Sequence, residues 1–143
     1  MEPFGAIISE IQLRDTEHLG KTAGDPHQQF LCTITIEDVS RWSTAVGMTP
    51  RDVCHELSIR LARGFLDGML SFDLCDKVVN KIDALFIFNE EIMGIRTALS
   101  WDVYLAFDEG EYYHENNRNE DPVEVYTRPL LLRSIAPPAE GQS

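Results

Sequence analysis

Basic residues are scarce in this chain. Twelve Lys and Arg stand against 24 Asp and Glu, a formal charge of −12 over 143 residues. Affinity for duplex nucleic acid comes largely from Lys and Arg neutralising phosphates, and here they are scattered, so nucleic acid and anionic membranes are excluded as partners. Cysteine is nearly as rare. Cys32, Cys54 and Cys75 are odd in number, widely spaced and each beside apolar residues. They form no disulfide framework, and buried reduced thiols in a cytoplasmic protein are expected. No apolar run approaches the ~18 residues of a membrane span. The opening Met1-Glu2-Pro3-Phe4-Gly5 has neither a basic region nor an apolar core, so no secretion signal is expected.

Motifs of catalysis are missing too. The histidines, His18, His27, His55 and His114, fall in no His-x-x-x-His frame, and no Cys-x-x-Cys occurs. Asp108-Glu109-Gly110-Glu111 is rich in oxygen ligands but lacks the spacing of a calcium loop. There is no Gly-x-Ser-x-Gly and no glycine-rich phosphate loop. Neither a metal nor a cofactor is therefore expected, and no residue is singled out as catalytic.

What is present is an ordinary globular composition, 43% hydrophobic and 25% charged. It fits one domain over residues 1–135, followed by a loose tail, 136–143, with two prolines and a glycine. Residues 4–13 are rich in Ile and read as a strand. Residues 30–39 alternate, Phe30, Cys32, Ile34 and Ile36 against Thr33, Thr35 and Glu37, and read as a second. Beyond them the grammar is helical. Thr49-Pro50-Arg51-Asp52 is a helix start, and Val53, Leu57, Leu61 and Phe65 recur every four residues. Gly68 ends that helix, and Ser71 or Asp73 caps another whose face holds Leu74, Val78, Ile82 and Leu85, with Phe65 and Phe72 packing the corner. Residues 97–107 read as helix, although strand parity also fits Trp101, Val103, Leu105 and Phe107; Trp101 and Leu105 are assigned to the core. Asp121-Pro122-Val123-Glu124 repeats the capping pattern, and Pro129 is expected to stop a short helix near Thr127. The expected fold is α+β: an N-terminal antiparallel strand pair packed against a mainly helical C-terminal part.

Acids and aromatics interleave between Trp101 and Glu124, where Arg118 is the only Lys or Arg. Aromatics supply anchors with little side-chain entropy to lose, and surrounding acids speed encounter with a basic protein. The expected partner-binding set is Asp108, Glu109, Glu111, Tyr112, Tyr113, Glu115, Asp121, Glu124 and Tyr126. The function this points to is an acidic cytoplasmic protein-binding module for a basic protein, in an oligomeric state the pattern leaves open. Two alternatives stand beside it. One is a small hydrolase using Asp108, Glu111 and His114, since paired carboxylates in a cleft can divide acid and base roles. The other is a regulatory adaptor with the same surface and a different partner.

The helical corner Phe65-Leu66-Asp67-Gly68-Met69-Leu70-Ser71-Phe72, followed by Trp101-Asp102-Val103-Tyr104-Leu105-Ala106-Phe107-Asp108-Glu109-Gly110-Glu111-Tyr112, resembles the pattern of small bacterial polymorphic-toxin and colicin-type immunity proteins. The resemblance spans residues 49 to about 132 and leaves the N-terminal segment outside the helical pattern. It implies an antitoxin role: binding a cognate toxin and blocking its active site or a neighbouring surface.

Overall fold

The computed structural model describes residues 2–22 and 34–135, and among them every regular element is helical. The expected α+β class is thereby corrected to all-α. In chain order the elements are α1 (Pro3–Thr22), α2 (Ile36–Val46), α3 (Pro50–Leu66), α4 (Phe72–Phe88), the single turn α5 (Glu90–Met93), α6 (Ala98–Glu109) and α7 (Arg128–Ile135). A 3₁₀ turn, His114–Asn116, and a π-helical turn, Val123–Thr127, lie between α6 and α7.

The expected first strand is α1. Phe4, Ile7 and Ile11, spaced three and four apart, are the residues it buries, while Leu13 of the supposed strand parity is 61% exposed. Pro3 opens the helix and the Glu2 carboxylate accepts the Gly5 N–H at 3.0 Å. The second expected strand lies partly outside the described residues, and its remainder leads into α2. Thr35 Oγ1 accepts the Asp38 N–H at 3.2 Å and the Asp38 carboxylate accepts the Thr35 N–H at 2.9 Å, a reciprocal cap that starts a helix where alternation suggested pleating.

An ion network then clamps α1 to α2. Arg14 reaches both oxygens of Asp38, at 2.6 and 2.8 Å, and Glu10 at 2.7 Å. Arg41 reaches Glu10 at 2.6 Å, and the Trp42 indole N–H donates to Glu10 at 3.2 Å. The Arg14 guanidinium, helped by the Thr35 N–H and Arg41, holds the Asp38 carboxyl far below the ordinary carboxylate range against the cost of its burial.

Helix α6 sits at the centre, touching α3, α4 and α7, while α2 covers another part of α3. Phe65, Phe72 and Phe107 meet edge-on or tilted with ring centres 5.6–6.3 Å apart, so the expected Phe65–Phe72 corner is present and α6 closes it. The expected starts of α3 at Thr49 and α4 at Ser71 also stand, whereas Thr97, expected inside its helix, is the cap that precedes it. Thr49, Ser71 and Thr97 cap α3, α4 and α6 by accepting the N–H groups of Asp52, Leu74 and Ser100.

Two expectations of packing need correction. The side of α6 turned inward carries Val103, Ala106 and Phe107; Trp101 is 36% exposed and stacks on Tyr104, with Arg96 4.1 Å above its ring, and Leu105 is only partly buried. Pro129 does not end a helix. The Arg128 N–H bonds to Val123 five residues back, and this π turn feeds directly into α7, absorbing the donor that proline lacks.

Candidate functional site

The end of α6 is set by a glycine with no room for a side chain. A Cβ on Gly110 would stand 2.3 Å from Thr127 Oγ1 and 2.9 Å from the Phe72 ring. Thr127 is itself fixed, its buried hydroxyl donating to the Ala106 carbonyl at 2.7 Å. The chain can therefore pass close over Phe72, and this brings Glu111 against α4. There Asn80 Nδ2 donates to Glu111 and to Asp76, each at 3.1 Å, and to the Asp76 carbonyl at 2.7 Å.

Asp76 is the most perturbed group of this region. Partial burial comes first among the causes, then its hydrogen bond with Glu111 and the negative charges of Glu111 and Asp108; together they push it up to about 8, against a smaller opposing pull from Asn80. Repulsion within this cluster thus favours a proton on Asp76 near neutral pH. Asp108 is raised as well, by burial and then by Glu111 and Glu109. No Lys or Arg among the described residues pairs with Asp76, Asp108 or Glu111. Arg41, Arg60, Arg96 and Arg128 are held by carboxylates elsewhere, and Lys77, which lines the same side of α4, is drawn 3.2 Å from Asp15 of α1. A cleft of about 560 Å³ opens here, bounded by Phe72, Asp76, Lys77, Asn80, Lys81 and Glu111 among others.

Beside the cleft stands an aromatic stack. The His114 ring lies between Tyr112, 4.4 Å away, and Tyr126, 3.7 Å away. Its Nε2 is 3.0 Å from the Glu109 carboxylate and 2.9 Å from the Glu109 carbonyl, and the Tyr112 hydroxyl donates to Glu109 at 3.1 Å. This stack holds the chain after α6 onto the π turn before α7.

The expected partner-binding residues divide. Asp108 and Glu111 join the carboxylate cluster, and Glu109, Tyr112 and Tyr126 build the stack next to it. Tyr113 and Glu115 are exposed on the intervening loop, with Arg118 5.2 Å over the Tyr113 ring. Asp121 and Glu124 are spent locally: Asp121 accepts the Val123 N–H at 3.0 Å, and Glu124 pairs with Arg128 at 2.7 Å.

The chain matches no protein-family model, no curated protein and no solved structure.

Asp76 and Asn80 escaped the sequence reading, although Asp73, Asp76 and Asn80 recur at helical spacing beside the apolar face of α4. Only the Gly110 passage, which a linear reading does not reveal, turns that polar flank into part of a site. Among the described residues no three His, Cys, Asp or Glu side chains are grouped to hold a metal ion. Burial pushes the Cys54 and Cys75 thiols up to about 12, with Asp76 adding to the shift of Cys75, so neither is a nucleophile near neutral pH. His55 Nδ1 lies 2.6 Å from Thr97 Oγ1, tying α3 to the cap of α6. No helix among the described residues is long and apolar enough to cross a membrane.

Proposed function

We propose that this chain is an acidic protein-binding module of the cytoplasm that takes the basic surface of a protein partner onto the end of α6 and the facing flank of α4. One observation carries the reading. Asp76, Asp108 and Glu111 lie close together, and none of them forms an ion pair with a Lys or Arg among the described residues, although Lys77 and Lys81 line the same cleft. An incoming ammonium or guanidinium would relieve their mutual repulsion, and the exposed Tyr112 ring beside it offers flat contact area. The helical corner and acidic helix end that resemble immunity proteins favour a toxin as the partner: a basic effector whose substrate-binding surface this face would cover.

The hydrolase alternative finds less support. His114 is enclosed between two tyrosines and engages Glu109, while Glu111 turns to Asp76 across the cleft. A regulatory adaptor would use the same face, and the partner's identity separates it from an antitoxin.

The test is affinity capture of the partner from native cells, followed by stopped-flow association at low and physiological salt. The wild type should associate fast at low salt and slow steeply as salt screens the face. Asp108→Lys/Glu111→Lys should be slower by about tenfold or more with an unchanged far-UV spectrum. Equal association rates for the two proteins at low salt would end this reading.

A further inference from the structure

We propose that the apolar ledge formed by the last turn of α4, α5 and Ile95 is a second docking surface, for a protein segment that presents aliphatic or aromatic side chains next to lysine or arginine. It does not rest on the carboxylate face, which occupies the first half of α4, about 10–18 Å away along the helix at 1.5 Å per residue.

The ledge begins as a conflict in the sequence. Leu85-Phe86-Ile87-Phe88 puts four large apolar residues consecutively on a helix, where successive side chains diverge by about 100° and cannot all face one core. Leu85 and Phe86 are buried; Ile87 and Phe88 are left 57% and 81% exposed. Ile92 and Ile95 extend the surface at 52% and 76% exposure. Two adjoining depressions, of about 390 and 190 Å³, share Ile87 and Glu90 and so connect these side chains into one surface. Isolated exposed apolar residues are ordinary, whereas a contiguous group rimmed by charge marks an interaction site.

This surface is also held rigid. Met93 is buried to 1% and pins α5 to the core. Gly94 adopts φ 69°, ψ −155°, a conformation essentially reserved for glycine, and turns the chain so that Ile95 returns beside Ile87. The Ile95 carbonyl accepts from Arg51 Nε, and Arg96 is fixed between Asp83 and the Trp101 ring. Apolar side chains presented on a fixed backbone lose little freedom on binding.

Charge selects the occupant. Glu90 and Glu91 are exposed at the edge and have no ion-pair partner among the described residues. A second copy would bring the same two carboxylates, and another formal charge of −12, onto the surface. A segment carrying Lys or Arg beside its apolar anchors meets both features.

The probe is a synthetic amphipathic helical peptide of leucine and lysine, with a leucine–glutamate counterpart as control, titrated into ¹⁵N-labelled protein. The leucine–lysine peptide should shift the amides of residues 87–95. Its affinity should fall about tenfold or more in Phe88→Ser/Ile95→Ser, and by a similar factor in Glu90→Lys/Glu91→Lys. Asp108→Asn/Glu111→Gln should leave it unchanged, which keeps this outcome separate from that of the carboxylate face. Phe88 and Ile95 are exposed, so the serine variant should melt as the wild type does. Shifts confined to residues 76–80 and 108–111, or equal binding of the glutamate peptide, would overturn the proposal. So would a concentration-dependent dimer in sedimentation that Phe88→Ser/Ile95→Ser abolishes, for it would assign the ledge to a second copy.

Discussion

At the scale of single residues, Asp76 shows how a partly buried carboxyl set among other acids lowers stability as pH rises. Its carboxyl is raised in the folded chain, whereas an unfolded Asp titrates near 4. Below that value both states are protonated and the site costs nothing. Between about 4 and 8 the folded state binds the extra proton, so stability contributed at this position falls as pH rises. Replacing Asp76 by Asn removes the charge and keeps the shape. Asp76→Asn should therefore match the wild type in urea unfolding at pH 4 and exceed it by about 1–2 kcal/mol at pH 8, a value discounted for the site's partial exposure. Equal stability of the two proteins at both pH values would show that Asp76 and Glu111 do not repel in the folded chain.

At the scale of elements, what the sequence made legible was local hydrogen-bond chemistry. Thr49 and Ser71 cap helices because a short side-chain oxygen satisfies an otherwise open backbone N–H, and that requirement is readable within four residues. Where β propensity and capping chemistry conflict, capping prevails. Thr35-Ile36-Glu37-Asp38 is a capping box as well as an alternating run, and Glu2-Pro3 is a helix start as well as a prelude to isoleucines. Propensity for pleating is weak, and burial of Phe4, Ile7 and Ile11 together with the Arg14–Asp38 pair outweighed it. The site was half legible for a different reason. Asp108, Glu111, Tyr112 and Tyr126 were named from local density of acid and ring, but the partner strip on α4 depends on a close approach at Gly110 that spans more than thirty residues of chain. The clamp between α1 and α2 can be tested directly. Asp38→Asn leaves Arg14 and Arg41 without their shared, largely buried acceptor and should cost about 2–3 kcal/mol at pH 7. Because the Asp38 carboxyl is depressed in the folded state, its contribution is present above about pH 4 and lost as pH falls below it. The gap between variant and wild type in thermal melts should close toward pH 2; a gap independent of pH would mean that the charge of Asp38 does not contribute to stability.

At the scale of the whole molecule, the net charge of −12 is divided between two kinds of surface. Around α1 and α2 the acids are matched by Arg14 and Arg41, and the result is structural. Around the end of α6, Asp76, Asp108 and Glu111 form no ion pair with a Lys or Arg among the described residues, and the raised Asp76 carboxyl records the imbalance. A basic partner that approaches the Asp76–Glu111 pair favours its fully ionised form, so binding must expel the proton wherever the free protein carries it. Affinity should accordingly rise between pH 6 and 8, by at most about tenfold per unit, and level off above the pKa of the pair. Titration calorimetry at pH 7 in two buffers of different ionisation enthalpy measures the same event: the wild type should release up to one proton to the buffer on binding its captured partner. Asp76→Asn, which has no such proton to release, should bind with a buffer-independent enthalpy and a flatter pH profile. Buffer-independent enthalpy in the wild type would place the partner away from Asp76 and Glu111. Loss of salt sensitivity in Asp108→Lys/Glu111→Lys would still locate it on the α6 side of the acidic surface, so the two measurements together separate steering by the field from contact with the pair.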